Sequence, residues 1–140
     1  MKVIIANTPK ERNDALEIRK LVFVEEQNVP LELEIDEFED SSTHFVLYSK
    51  EQPCGAGRFR TKDGMGKAER ICVLANVRGK GVGQLIMNAL EDFAKEQGLP
   101  GVILSAQMHA IPFYEKLGYE VISEEYMDAG IPHKTMKKMF

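Results

Sequence analysis

The sequence predicts an α/β fold with a mixed, mostly antiparallel sheet, and three stretches carry that prediction. Residues 43–49 and 54–61 read as two strands joined by Lys50-Glu51-Gln52-Pro53, and a third, from about Lys67 to Leu74, follows Asp63-Gly64-Met65-Gly66. Antiparallel strands therefore come first. A helix follows, with Val82, Leu85, Ile86, Ala89, Leu90 and Phe93 at helical spacing, stopping near Gln97-Gly98 with Pro100 beyond. Val102-Ile103-Leu104 is then a buried strand reached through that helix, so it lies parallel to the strand ending near Leu74, with a right-handed crossover.

The remaining elements follow in order. Val3-Ile4-Ile5 is a short strand, and Thr8-Pro9-Lys10-Glu11 supplies an N-cap, a first-turn proline and a capping-box glutamate. The helix they start runs to about Phe23, with Leu16, Val22 and Phe23 on one face and Arg19 at its edge. Residues 32–40 carry six carboxylates and no cation; early alternation with Leu33 and Ile35 fits a half-exposed strand, and a solvated acidic loop fits as well. The tail predicts a helix from about Ala110 to Lys116 and strands around Tyr119–Ser123 and His133–Phe140.

At 140 residues, with 44% hydrophobic and 29% charged side chains, the chain reads as one globular domain able to bury a core unaided. Its net charge of −4 becomes +2 once the six acids of 32–40 are removed, so the acidity is local. The first residues hold too short an apolar run for a signal peptide and no stretch suits a membrane span, which makes cytoplasm the expectation. Cys54 and Cys72 lie in apolar runs without metal-ligand spacing, so reduced core thiols and no metal are expected. A pI of 5.4 and the lack of a basic stripe argue against nucleic acid.

Chemistry is concentrated in Val73-Leu74-Ala75-Asn76-Val77-Arg78-Gly79-Lys80-Gly81-Val82-Gly83-Gln84, where a strand enters a loop with three glycines and then a helix. Free helix N-terminal amides and the helix dipole, with Arg78 and Lys80 beside them, suit a pyrophosphate. A Walker loop is excluded because Gly79-Lys80 is followed by Gly81 rather than a hydroxyl residue. A dinucleotide fingerprint fits poorly, since residue 84 is Gln and the next strand leads to Ser105 rather than an acid.

Arg78, Gly81 and Gly83 match Arg/Gln-x-x-Gly-x-Gly/Ala, and Ala110-Ile111-Pro112-Phe113-Tyr114-Glu115-Lys116-Leu117-Gly118-Tyr119 matches A-x-x-F-Y-E-K-x-G-F/Y, in the order seen in the GNAT superfamily of N-acetyltransferases, which the chain resembles. Arg19 to Val29 also resembles a small bacterial branch of it. Ala75 stands where that superfamily often has Pro, and Gln107 where it often has Asn. The resemblance implies two parallel strands that splay apart to admit the pantetheine arm of acetyl-CoA. It places the cofactor on backbone at Ile71, Cys72 and Val73, on the loop residues Arg78, Gly79, Lys80, Gly81, Val82, Gly83 and Gln84, and on Gln107, Ala110 and Phe113.

It also assigns Tyr114 as the acid that protonates the departing thiolate, with direct transfer to an amine. Glu69 is the candidate base. Glu34 and Asp36 are read as facing a cationic acceptor, and His44 and His133 begin strands from which the sheet could bring them toward one cleft. The alternative is a non-catalytic acyl-CoA-binding module, which would not need Tyr114. The acceptor amine is not legible, and a homodimer is left open.

Overall fold

The computed structural model describes all residues, 1–140. Strand β1 (Lys2–Ile5) leads to helix α1 (Pro9–Arg19), whose start is the expected capping box: Thr8 Oγ1 accepts from the Glu11 amide at 3.1 Å, and Glu11 Oε1 accepts from the Thr8 amide at 3.1 Å. From Lys20 to Glu26 the helix widens to π geometry. It does not end near Phe23 as the spacing suggested. The wider turns carry Phe23 and Glu26 to the wall of the central cleft, and π segments recur at functional sites for this kind of redirection.

After the one-turn helix α2 (Leu31–Glu34) come β2 (Thr43–Ser49), β3 (Gln52–Lys62), β4 (Met65–Val73), α3 (Val82–Glu96), β5 (Gly101–Gln107), α4 (Ile111–Lys116), β6 (Glu120–Val121), β7 (Tyr126–Asp128) and β8 (Ile131–Met139). Eight strands form one sheet in the order β1-β2-β3-β4-β5-β8-β6, with β7 on β8. All pairs are antiparallel except β4 with β5. The predicted mixed sheet and its parallel crossover are therefore present.

The β4–β5 pairing shapes the centre of the sheet. It spans only Gly66–Val102, Lys67–Ile103 and Ala68–Leu104; from Glu69 and Ser105 onward the strands part. On its other side β4 slips register against β3 between Ala56 and Arg58, and Arg70 takes a left-handed φ of 56°. That bulge breaks the alternation of side chains and bends the strand away from its neighbour. Helix α3 packs on one face through Val82, Ile86, Met87, Leu90 and Ala94, all buried. Helix α1 packs on the other through Ala15 and Ile18, joined by Val22 of the π segment, against Val46, Ala56 and Cys72.

Two predicted segments differ. Residues 31–34 form a helical turn, so Glu34 and Asp36 do not share one face of an extended strand. Pro30 caps that turn: its carbonyl accepts from the Leu33 and Glu34 amides, and the chain becomes extended again only at Ile35. The strand expected over Tyr119–Ser123 shrinks to two residues, and β7, which shows no alternation in sequence, exists because β8 offers it an edge from Ile131 to His133.

Candidate active site

The divergence of β4 and β5 opens a cleft of about 1000 Å³ that also touches the end of α1, the glycine loop and α4. Gln27 and Gln107 exchange amide hydrogen bonds at 2.8 and 3.3 Å, tying the end of the π segment to the end of β5. Of the sequence-assigned cofactor residues, Ile71, Cys72, Val73, Arg78, Gly79, Gly81, Val82, Gly83, Gln107, Ala110 and Phe113 line this cleft. Lys80 and Gln84 are exposed and do not line it.

Gly81 is the N-cap of α3 with φ 73°, a left-handed conformation that side-chain-bearing residues avoid. Gly83 has a different reason: an added Cβ would stand 3.1 Å from the Phe113 ring, so its lack of a side chain lets α4 seat against the first turn of α3. The α3 amides thus open at the loop with no side-chain cap. Arg78 is aimed away from the glycines: its Nη2 donates to Glu26 Oε2 at 2.6 Å and its Nε to the Val73 carbonyl at 3.1 Å. Glu26 is held below the usual carboxylate range by those Arg78 hydrogen bonds.

The acidic stretch is not a free negative wall. Buried Arg19 donates Nε to Glu34 Oε1 at 2.6 Å and Nη2 to Glu39 Oε1 at 2.7 Å. Buried Arg58 grips Asp36 with both terminal nitrogens, at 2.7 and 2.9 Å, and also reaches Glu39 and Glu69. Arg70 adds contacts to Glu34 at 3.0 Å and Asp36 at 3.3 Å. Burial would raise the Asp36 carboxyl, but the hydrogen bonds from Arg58 and the Phe38 amide, with the charges of Arg58 and Arg70, outweigh it and bring it to about 2. Only Glu32, Glu37 and Asp40 of the six remain exposed.

Glu69 lies in the cleft where β4 leaves β5, but three cations hold it: Arg58 and Arg60 at 2.9 Å and Lys67 at 3.3 Å. Burial would raise its carboxyl, yet those cations and their hydrogen bonds lower it, so it is a weak proton acceptor near neutrality. The two histidines are not brought together. His44 donates Nε2–H to the Glu39 carbonyl at 2.7 Å and stays outside the cleft, where it fastens the acidic loop. His133 lines the cleft directly across from Gln107 on β5. Its Nδ1 bonds the Ile131 carbonyl at 2.6 Å, and a carbonyl only accepts, so Nδ1 carries a hydrogen and in the neutral ring Nε2 is the atom with the lone pair. Nε2 has no protein partner and is not sealed from solvent.

Tyr114 is buried in a cage of aromatic edges, 5.0 Å from Phe113 and 5.9 Å from Tyr119, yet its hydroxyl makes no bond within the protein and opens to the cleft. Burial pushes its phenol well above the ordinary range, with Cys72 contributing, so it is a protonated donor at neutral pH. Burial likewise pushes the Cys72 thiol up to about 12, which leaves it unionised and unsuited to carry an acyl group. Missed by sequence reasoning were Gln27, Glu26, Phe38, Arg60 and Arg70. Arg58 and Arg60 alternating in an otherwise apolar strand were the available signal that one sheet face holds charge.

This geometry has relatives. The family model for an acetyltransferase (GNAT) domain matches residues 11–140. The chain is 56% identical over 139 residues to the uncharacterized N-acetyltransferase YjcF of Bacillus subtilis (strain 168), covering 99% of each. A crystal structure of a candidate N-acetyltransferase from Lactobacillus plantarum superposes with TM-score 0.91 at 30% identity, covering 99% of this chain and 97% of that one. An aminoglycoside 6'-N-acetyltransferase complexed with coenzyme A shares the fold, with TM-score 0.79 at 16% identity and coverage of 99% and 97%. No helix here is long and apolar enough to cross a membrane. With its split parallel strands, its glycine loop and these relatives, the chain belongs to the GNAT family and is an acyl-CoA-dependent acetyltransferase.

Proposed function

We propose that the protein transfers the acetyl group of acetyl-CoA directly to a primary amine, with Tyr114 as general acid and His133 as general base. The observation that carries this is the pair of unpartnered groups opening into one cleft, a protonated phenol and an imidazole lone pair, beside strands whose backbone edges have lost each other as partners. Separated strand edges suit the amides of a pantetheine arm, and the α3 N-terminus suits its pyrophosphate. A protein of the same fold, the aminoglycoside 6'-N-acetyltransferase, is complexed with coenzyme A.

In this reading His133 Nε2 takes a proton from the bound ammonium, directly or through one water. The freed nitrogen lone pair then attacks the thioester carbonyl. Backbone amides around Ile71 to Val73 stabilise the oxyanion. Collapse breaks the carbon–sulfur bond, Tyr114 gives its proton to the leaving thiolate, and the second proton of the attacking nitrogen passes through water to the tyrosinate, which restores the phenol and leaves a neutral amide. Cys72, held as a thiol, takes no part.

The test is release of free thiol from acetyl-CoA across a panel of amines, amino acids, polyamines and peptides; no release with any of them would leave a binding module. Gly81→Asp should abolish measurable coenzyme A binding by calorimetry, because it sets a carboxylate and a strained φ where the phosphates sit, whereas Lys62→Ala should bind as the parent does. Equal affinity for Gly81→Asp would refute the phosphate assignment. His133→Gln should lower kcat about 100-fold with coenzyme A affinity kept, and added imidazole should restore part of the rate. An unaltered kcat would remove His133 from the chemistry.

A further inference from the structure

The sheet face opposite α3 carries a set of charges whose sum is not what the acidic stretch suggests. Arg19, Arg58, Arg60, Lys67 and Arg70 stand against Glu34, Asp36, Glu39 and Glu69, five cations to four carboxylates in one continuous network. The surplus has a place. Arg19 and Arg58 are fully buried; Arg19 and the two terminal nitrogens of Arg58 donate to carboxylates, Arg58 to three of them, while Arg58 Nε has no partner. Arg60 and Lys67, cross-strand partners on β3 and β4, have only Glu69 between them, and Glu69 is shared with Arg58.

Arg60 is also held in position. Its Nε donates to Glu69 at 2.9 Å and its guanidinium lies 3.9 Å over the Phe38 ring, which leaves both terminal nitrogens without a protein partner. Those nitrogens are not sealed in protein, and Arg60, Lys67 and Phe38 all line the cleft, next to the point where β4 leaves β5. A guanidinium with its inner nitrogen anchored and its outer pair free is a preorganised fork for a planar or tetrahedral anion. Phe23 and Leu33 give the same region an apolar side.

We propose that Arg60 and Lys67 form an anion subsite in the acceptor half of the cleft, so that the amine acetylated here carries a carboxylate or phosphate, as amino acids, peptide termini and amino phosphates do. This rests on the transferase reading above and reverses the sign of acceptor expected from the sequence. Glu34, Asp36 and Glu39 are spent within the network, and exposed Glu32, Glu37 and Asp40 do not line the cleft, so the field an acceptor meets at the β4 divergence is that of the one surplus positive charge shared by Arg60 and Lys67.

Binding of acetylated products, with coenzyme A present, tests this separately from catalysis. Calorimetry should find N-acetylphenylalanine at least tenfold tighter than N-acetylphenethylamine if the anion is a carboxylate, or N-acetylphosphoethanolamine at least tenfold tighter than N-acetylethanolamine if it is a phosphate. Arg60→Gln and, separately, Lys67→Met should each shrink that ratio; each variant leaves Glu69 two cationic partners, so folding is kept. Equal affinity within both pairs, a ratio untouched by either substitution, or tighter binding of N-acetylcadaverine than of both anionic products would overturn the subsite. If anion-dependent binding is found and no parent amine is acetylated, the subsite stands and the transferase reading falls.

Discussion

Tyr114→Phe is expected to bind coenzyme A as the parent does and to slow acetyl transfer by roughly 10²–10⁴. The substitution keeps the ring and its edge contacts with Phe113 and Tyr119, which hold α4 in place, and removes only the hydroxyl that opens into the cleft. A hydroxyl with no protein partner leaves no orphaned neighbour when it is deleted, so a loss of rate would report chemistry rather than damage. Because burial raises the phenol, the group remains a proton donor through the alkaline range, and no fall in rate from its ionisation should appear near neutrality. Thiol release and coenzyme A calorimetry on the folded variant check this. Parental turnover would take Tyr114 out of the reaction and favour the binding module.

Arg58→Met is expected to destabilise the fold by about 3–5 kcal/mol, because it removes the cation that Asp36, Glu39 and Glu69 share inside the sheet. Replacing one partner of a buried network costs more than replacing all of them, since the carboxylates left behind stay desolvated. The variant should also lose part of its acid sensitivity. Asp36 sits at about 2 in the fold against an ordinary 3.8, so in the parent it contributes stability that is present above about pH 4 and lost as pH falls toward 2. That contribution is at most ~2 kcal/mol, from 1.36 kcal/mol per unit. Arg58 supplies most of the lowering, so the pH dependence of Arg58→Met between 4 and 2 should be shallower. Urea unfolding at neutral and acid pH measures both effects; a neutral-pH loss under 1 kcal/mol would show that the network does not hold the acidic loop to the sheet.

Both predictions touch the line between what the chain encodes locally and what its folding assembles. Thr8, Pro9 and Glu11 fix the start of α1 within four residues, and Gly81 and Gly83 fix the loop and its contact with Phe113, because left-handed φ and the missing Cβ belong to single positions. The helical period of residues 82–93 and the Ala110–Tyr119 pattern work over similar distances. Fold class, the glycine loop and the helix that carries Tyr114 were therefore legible in order along the sequence. The acceptor side was not. Asp36 meets Arg58 across 22 residues, Glu39 meets Arg19 across 20, and Glu69 meets Arg60 only because β3 and β4 pair in one register that then slips at the Arg70 bulge. A one-residue change of register would send those arginines to the α3 face and leave the acids of 32–40 as the bare negative stretch they look like in sequence. Sequence by itself determined the glycine loop at the α3 N-terminus and the short pattern that carries Tyr114; only the tertiary pairing decided which carboxylates are neutralised, which histidine reaches the cleft, and that the charge network of the sheet face ends with one cation in surplus, because charge in a cleft is set by what lies within a few ångströms rather than by what lies adjacent in the chain.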